Sequence, residues 1–119
     1  MFGITVPDNA QGILQDIHWF KGSFGYFPCY LLAMLYGAQL FRAAERAIPN
    51  LKAGFAVGNF APLVDWLRDN VYSWANYHDG LTLLEQATGE PLNPHYFMDY
   101  LKGRYGTSVS PSVVIPENA

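Results

Sequence analysis

The sequence predicts an all-α fold of about five helices, and three observations carry that prediction. Apolar residues recur at three- and four-residue spacings over long stretches. Pro, Asp, Asn and Gly stand where such stretches would start and stop. Only the last residues, "TSVSPSVVIPENA", hint at a period-two alternation.

Taken in order, residues 1–11 read as a loop with a turn at Pro7, Asp8 and Asn9. Pro28 suits the first turn of a helix, where a missing N–H costs nothing, and Pro49 stops that helix near residue 47. Tyr30, Ala33, Met34, Gly37, Leu40 and Phe41 share one face of it. Leu31, Leu35 and Ala38 make the opposite face apolar too. The helix is therefore expected to be buried all round until Arg42, Glu45 and Arg46 reach water.

A short helix over about 50–57 follows, then one from Pro62 to about Trp74 with Leu63, Trp66, Leu67, Asn70 and Val71 along one face. Asp79 is placed to cap a helix that Gly89 ends. Asn93 and Pro94 start a last helix that Gly106 ends. Residues 1–106 form the helical portion, and 107–119 an irregular tail.

The chain has 119 residues, enough for one domain, with 14% charged, 16% aromatic and half hydrophobic residues. So little charge means that the core is large for the chain or that something else covers part of its surface. Net charge is −3 and the seven Lys and Arg residues are scattered, which argues against nucleic acid. The uncharged run Gly22–Phe41 reaches the roughly 20 residues of a membrane span. Its three glycines, Pro28, Ser23, Gln39 and three tyrosines favour a buried helix, so no membrane is expected. One cysteine, Cys29, reads as a small buried residue and suits a reducing compartment, with cytoplasm the default. The N-terminus lacks the basic and apolar regions of a signal peptide.

The residues offer few chemical motifs. No H-E-x-x-H, Cys pair, His pair at i, i+4, G-x-S-x-G or phosphate-binding glycine loop exists, so no metal site is expected within this chain. His78 and His95 fall in or beside loops among polar residues and read as solvated. His18 differs, standing between Asp16 and Trp19 in an apolar setting. Read from the residues alone it is a core histidine satisfied by a partner or a catalytic one. Asp16 can reach it at i, i+2 provided the segment is not regular helix.

Gly12, Gln15, Asp16, His18 and Trp19 spell G-x-x-Q-D-x-H-W. G-S-F-G-Y-F-P-x-Y follows over Gly22 to Tyr30, then A-Q-L-F over Ala38 to Phe41. With "GNFAPLVDWLRDNV" and "LLEQATGEPLNPHYFMDYLKGRY" in order behind them, these segments closely resemble the C-terminal end of the carboxypeptidase Taq family of zinc metallocarboxypeptidases. The resemblance runs over about residues 3 to 106.

It implies an all-helical enzyme, similar in architecture to neurolysin and angiotensin-converting enzyme, that removes single residues from peptide C-termini. The family's zinc is held by an H-E-x-x-H helix and a downstream Glu, both upstream of the part matched here. On that resemblance the chain reads as a C-terminal piece whose partners are the missing N-terminal part and, in the whole enzyme, peptide substrate. It would bind no metal alone and be inactive alone.

The resemblance implies, by motif position, that His18 is the candidate for the His, and Tyr26 or Tyr30 for the Tyr, that related helical peptidases use to stabilise charge on the carbonyl oxygen. Asp16 or Gln15 would fix the ring or contact peptide. Ala33 departs from a usual Gly, "NVYSWAN" (70–76) from a usual I-H-x-x-G, and the tail has no counterpart. The competing reading is a non-catalytic helical interaction module. The face normally covered by the missing upstream part should be apolar, so the lone chain is expected to form a homo-oligomer, a dimer or larger, through the aromatic 20–41 region.

Overall fold

The computed structural model describes residues 3, 5–74 and 76–106. Six α-helices occur among them and no strand: α1 (Ile17–Phe20), α2 (Pro28–Ala47), α3 (Leu51–Ala56), α4 (Ala61–Asn70), α5 (Gly80–Thr88) and α6 (His95–Tyr105). Single 3-10 turns cover Ile13–Gln15 and Tyr72–Trp74. The all-α expectation holds, and α2 to α6 are the five anticipated helices. The tail 107–119 lies outside the described residues. The chain divides into two compact units, Met1–Leu32 and Ala33–Ala119, with the boundary inside α2.

The first unit is a run of turns. Asn9 O accepts from Gly12 N (3.2 Å) and Leu14 N (3.0 Å), and Gln15 Nε2 donates to Ala10 O at 2.6 Å. A Cβ placed on Gly12 would lie 2.5 Å from Val6 Cγ1 and 3.2 Å from Asp8 O, so the chain crosses itself there at a distance only glycine permits. Within 5–32 no residue is buried.

In the second unit the helices meet around α2. Leu63, Trp66, Leu67, Asn70 and Val71 are half-buried while Val64, Asp65, Arg68 and Asp69 are exposed, as the 3.6-residue period requires. Leu63 and Leu67 line a small cavity with Gly37, Leu40 and Phe41 of α2. Phe41, Phe55 and Phe60 stack in series at centroid separations of 6.2 and 5.2 Å. Tyr36 packs against the start of α5, 3.3 Å from where a Cβ on Gly80 would sit. Asp79 caps α5 through the N–H groups of Leu81 and Thr82, and Gly89 closes it at φ +79°.

Four expectations need correcting. The α4 helix ends at Asn70 rather than Trp74. There Ser73 Oγ donates to Arg68 O (2.6 Å), a carbonyl that a further turn would have used, and Asn70 Nδ2 turns back onto Trp66 O (2.8 Å). The α2 helix is not buried all round: only Gln39 and Ala44 are buried, and Leu31 (53%) and Met34 (55%) are exposed. Cys29 is exposed as well, because it lies on that uncovered first turn. His78 is not solvated, for Nε2 is buried without a hydrogen-bond partner among the described residues while Trp74 and Tyr77 flank the ring. His95 is exposed at the start of α6.

Gln39, 1% exposed, is the polar hinge of the second unit. Its Nε2 reaches Thr88 Oγ1 (3.0 Å), Glu90 O (3.2 Å) and Pro91 O (3.0 Å), and its Oε1 accepts from Asn93 N (2.8 Å). One amide thus fixes the whole α5–α6 connection. Gln39→Leu would keep the volume but delete its hydrogen bonds to Thr88, Glu90, Pro91 and Asn93, each worth about 0.5–1.5 kcal/mol, although Thr88 Oγ1 and Glu90 O would still pair with one another. A loss of about 3 kcal/mol in urea unfolding is expected, with Gln39→Glu failing to restore it because a carboxylate cannot donate.

Candidate active site

Asp16 precedes α1 in extended backbone (φ −86°, ψ 105°) and caps it, Oδ1 accepting from His18 N at 2.9 Å. A cap residue stands outside the helix, and this is what lets an i, i+2 carboxylate reach a helical side chain. The same Oδ1 meets His18 Nδ1 at 2.9 Å. On its far edge the ring meets Tyr30 Oη, with Nε2 at 3.2 Å. Tyr30 stands in the first turn of α2, which Pro28 opens, so the glycine-punctuated loop 21–27 serves to bring that first turn back beside α1. Gly22 and Gly25 take φ of +70° and +75° in that loop, and Ser23 N donates to His18 O at 2.9 Å.

Aromatic rings pack around the imidazole. Tyr26 stacks on it at 5.4 Å and 25°, Phe27 tilts against it at 5.0 Å, and Tyr30 meets it edge-on at 6.1 Å. Among the sequence-derived candidates, Asp16, His18, Tyr26 and Tyr30 come together. Gln15 does not join them, because its amide N–H is spent on Ala10 O. Tyr26 offers the ring its face, whereas Tyr30 offers its hydroxyl.

Partial burial disfavours charge on Asp16, yet the His18 N–H, the His18 ring and the Trp19 side chain outweigh it and hold the carboxyl below its ordinary 3.8. Elsewhere, Lys52 and then Arg42 lower Glu45 against some burial. Tyr96, Arg46 and Asn93 lower Glu90 in the same way, and the Thr82 hydroxyl and N–H lower Asp79. Each of these folded pKa values lies below its unfolded value, so as pH falls the unfolded chain takes up protons first. Their stabilisation is complete above the ordinary 3.8 for Asp and 4.5 for Glu and is lost as pH falls through the lowered folded values. Melting temperatures followed from roughly pH 6 to pH 3 should drop below about pH 4.5, and Glu45→Gln or Asp79→Asn should flatten part of that drop.

Sequence reasoning missed a groove in the second unit, between α2 and α6. It has a volume of about 590 Å³ and is lined by Met34, Phe41, Glu45, Lys52, Phe97 and Tyr100 among others. At its rim Glu45 pairs with Lys52 (2.5 Å) and Arg42 (3.0 Å). The available signal was charge pairing across the α2–α3 break, which no single-helix spacing reveals. Among the described residues no three His, Cys, Asp or Glu side chains lie close enough together to hold a metal ion. No helix among them is long and apolar enough to cross a membrane.

Comparison with known proteins finds relatives of the chain as a whole. Carboxypeptidase 1 of Bacillus subtilis (strain 168) is 42% identical over 103 residues, covering 87% of this chain and 21% of the relative. Thermostable carboxypeptidase 1 of Pyrococcus furiosus is 37% identical over 105 residues, covering 88% and 21%. The crystal structure of the M32 carboxypeptidase from Deinococcus radiodurans R1 superposes with a TM-score of 0.78 at 38% identity, covering 88% of this chain and 21% of that one. The chain therefore spans about a fifth of the length of these relatives. The family model for carboxypeptidase Taq (M32) metallopeptidases matches residues 1–105, and the chain belongs to that family.

Proposed function

We propose that this chain supplies the C-terminal part of a zinc-dependent metallocarboxypeptidase that removes single residues from peptide C-termini in the cytoplasm. One observation carries the reading. The G-x-x-Q-D-x-H-W segment sets His18 between a carboxylate and a phenol, both within hydrogen-bond distance, inside a family match that spans nearly all of the described chain.

On this reading the metal and the water it activates belong to the rest of the longer protein, where the family resemblance seats the H-E-x-x-H helix and the downstream Glu. What the described residues do is electrostatic. In amide hydrolysis negative charge grows on the carbonyl oxygen, and hydrogen-bond donors fixed beside it lower the barrier. His18 and Tyr26 or Tyr30 fill that role, with Asp16 holding the ring. Gln15, with one amide N–H engaged at Ala10, has Oε1 left to accept from a peptide N–H. The test is release of C-terminal residues by a longer protein that includes this sequence. Turnover should stop with a chelator and return with zinc. Metal-independent turnover, or none with metal present, would overturn the reading.

A second reading, a helical interaction module, is favoured by the apolar side chains left bare in the first unit. Phe20 is 66% exposed and Phe24 72%, with Phe27 and Leu31 about half exposed. Such a patch ordinarily marks an interface. Either the upstream part of the enzyme covers it or a second copy does. The isolated chain is accordingly expected to form a dimer or larger oligomer through the 20–41 region. Light scattering on the wild type and on Phe24→Ser would check this: a monomer at high concentration before any substitution counts against it.

A further inference from the structure

We infer that Asp16, His18 and Tyr30 form a directional hydrogen-bonded relay. In it the Tyr30 hydroxyl proton is turned inward while the ring is neutral and is released toward substrate when the ring gains a second proton. The inference rests on the proposed function for its substrate and on geometry alone for its proton positions.

The argument runs from the carboxylate outward. Ionised Asp16 can only accept, and its Oδ1 already takes the His18 backbone N–H at 2.9 Å. The ring nitrogen 2.9 Å from that oxygen must therefore carry a hydrogen. A neutral imidazole has one N–H, so with Nδ1 protonated Nε2 is a lone pair. The contact at 3.2 Å is then Tyr30 O–H donating to Nε2. In this state neither partner can stabilise a developing oxyanion: Nε2 has no hydrogen and the phenol has spent its own.

Uptake of one proton from solvent at Nε2 reverses the second bond without breaking any covalent bond of the tyrosine. Nε2–H now donates to Tyr30 Oη. The phenol keeps its proton, which is freed to point at a carbonyl oxygen. Asp16 balances the positive ring throughout. The polar groups facing that ring are Asp16 from the cap of α1, Tyr26 from the connecting loop and Tyr30 from α2, and Phe27 closes the remaining side. Tyr26 stacks nearly parallel to the imidazole, so its hydroxyl is out of line with either ring nitrogen. The relay thus assigns the donor to Tyr30 and leaves Tyr26 as a platform, and Asp16 becomes a positioning residue rather than one that touches peptide.

The test is nitrogen NMR on the 119-residue chain, whose three histidines give three ring systems, with His18→Gln assigning the relevant one. Near neutral pH the neutral His18 ring should show a protonated Nδ1 and a bare Nε2, the reverse of the preference of a free histidine side chain. Asp16→Asn should shift the proton to Nε2. Tyr30→Phe should move the Nε2 resonance and Tyr26→Phe should not, and both residues are about half exposed, so the ring swaps are mild. In the longer enzyme Tyr30→Phe should remove the decline in kcat that accompanies loss of the ring's second proton. A wild-type ring protonated at Nε2 overturns the relay even if every variant misfolds, as does a Tyr26→Phe shift as large as that of Tyr30→Phe. Failure of the proposed function would appear separately, as an absence of peptide cleavage with these spectra intact.

Discussion

Replacing His18 with alanine in the intact peptidase should lower kcat by up to about 10²–10³-fold, the value of one oxyanion-stabilising donor, because the ring is what orients the Tyr30 hydroxyl toward the oxygen. Zinc content should not change, because His18 bonds to Asp16 and Tyr30 and belongs to no metal cluster among the described residues. KM should change little, since the interaction strengthens only as charge develops on the oxygen. The fold should also survive, because the ring is part-exposed and its loss empties no core. Steady-state kinetics beside metal analysis decide the matter. Unchanged turnover on an unchanged fold would make His18 a packing residue, and lost zinc would make it part of the metal environment.

Complete inactivity is expected of the 119-residue chain alone. Its polar site can orient a ring and donate hydrogen bonds, but those acts stabilise a transition state that some other group must create. The purified chain should release no C-terminal residue from peptides and retain no stoichiometric zinc after dialysis. Supplying the remaining four-fifths of a relative's sequence as a separate polypeptide should restore some turnover, provided the aromatic 20–31 surface is free to be covered. One zinc per chain held tightly, or metal-dependent turnover by the chain alone, would show that the chemistry is seated here after all.

Much of the fold was legible because helix punctuation is local. Pro28, Asp79, Gly89 and Gly106 each act within one turn of their own position, and each marks a boundary in the structure. The α4 boundary was harder, since the Asn70 and Ser73 side chains compete for backbone groups that the apolar period cannot register. Burial on α2 was misjudged for a different reason: an apolar periodicity tells which face seeks cover but not whether cover is present. The Asp16–His18 contact was legible only as a condition on backbone shape, which the cap position satisfies. The choice between Tyr26 and Tyr30 was not legible, because both lie within one turn of Pro28 and differ only in whether face or hydroxyl meets the imidazole. The Gln39 clasp joins residues about fifty apart and left no short-range trace.

Gly12, the first letter of the G-x-x-Q-D-x-H-W segment, bears on structure alone. It takes no part in the chemistry, yet a single added carbon there would meet Val6 and the Asp8 carbonyl. Displacing that crossing would drag the Asn9–Gly12 and Asn9–Leu14 bonds, and with them the approach to Asp16. An alanine or serine there would require the exposed Val6 side chain to turn away and the Asp8 carbonyl to give by a few tenths of an ångström. What constrains position 12 is thus a crowded turn, with a valine side chain and a carbonyl close by and backbone angles of φ −116° and ψ −113°, a dependence that no assay of proton transfer would detect.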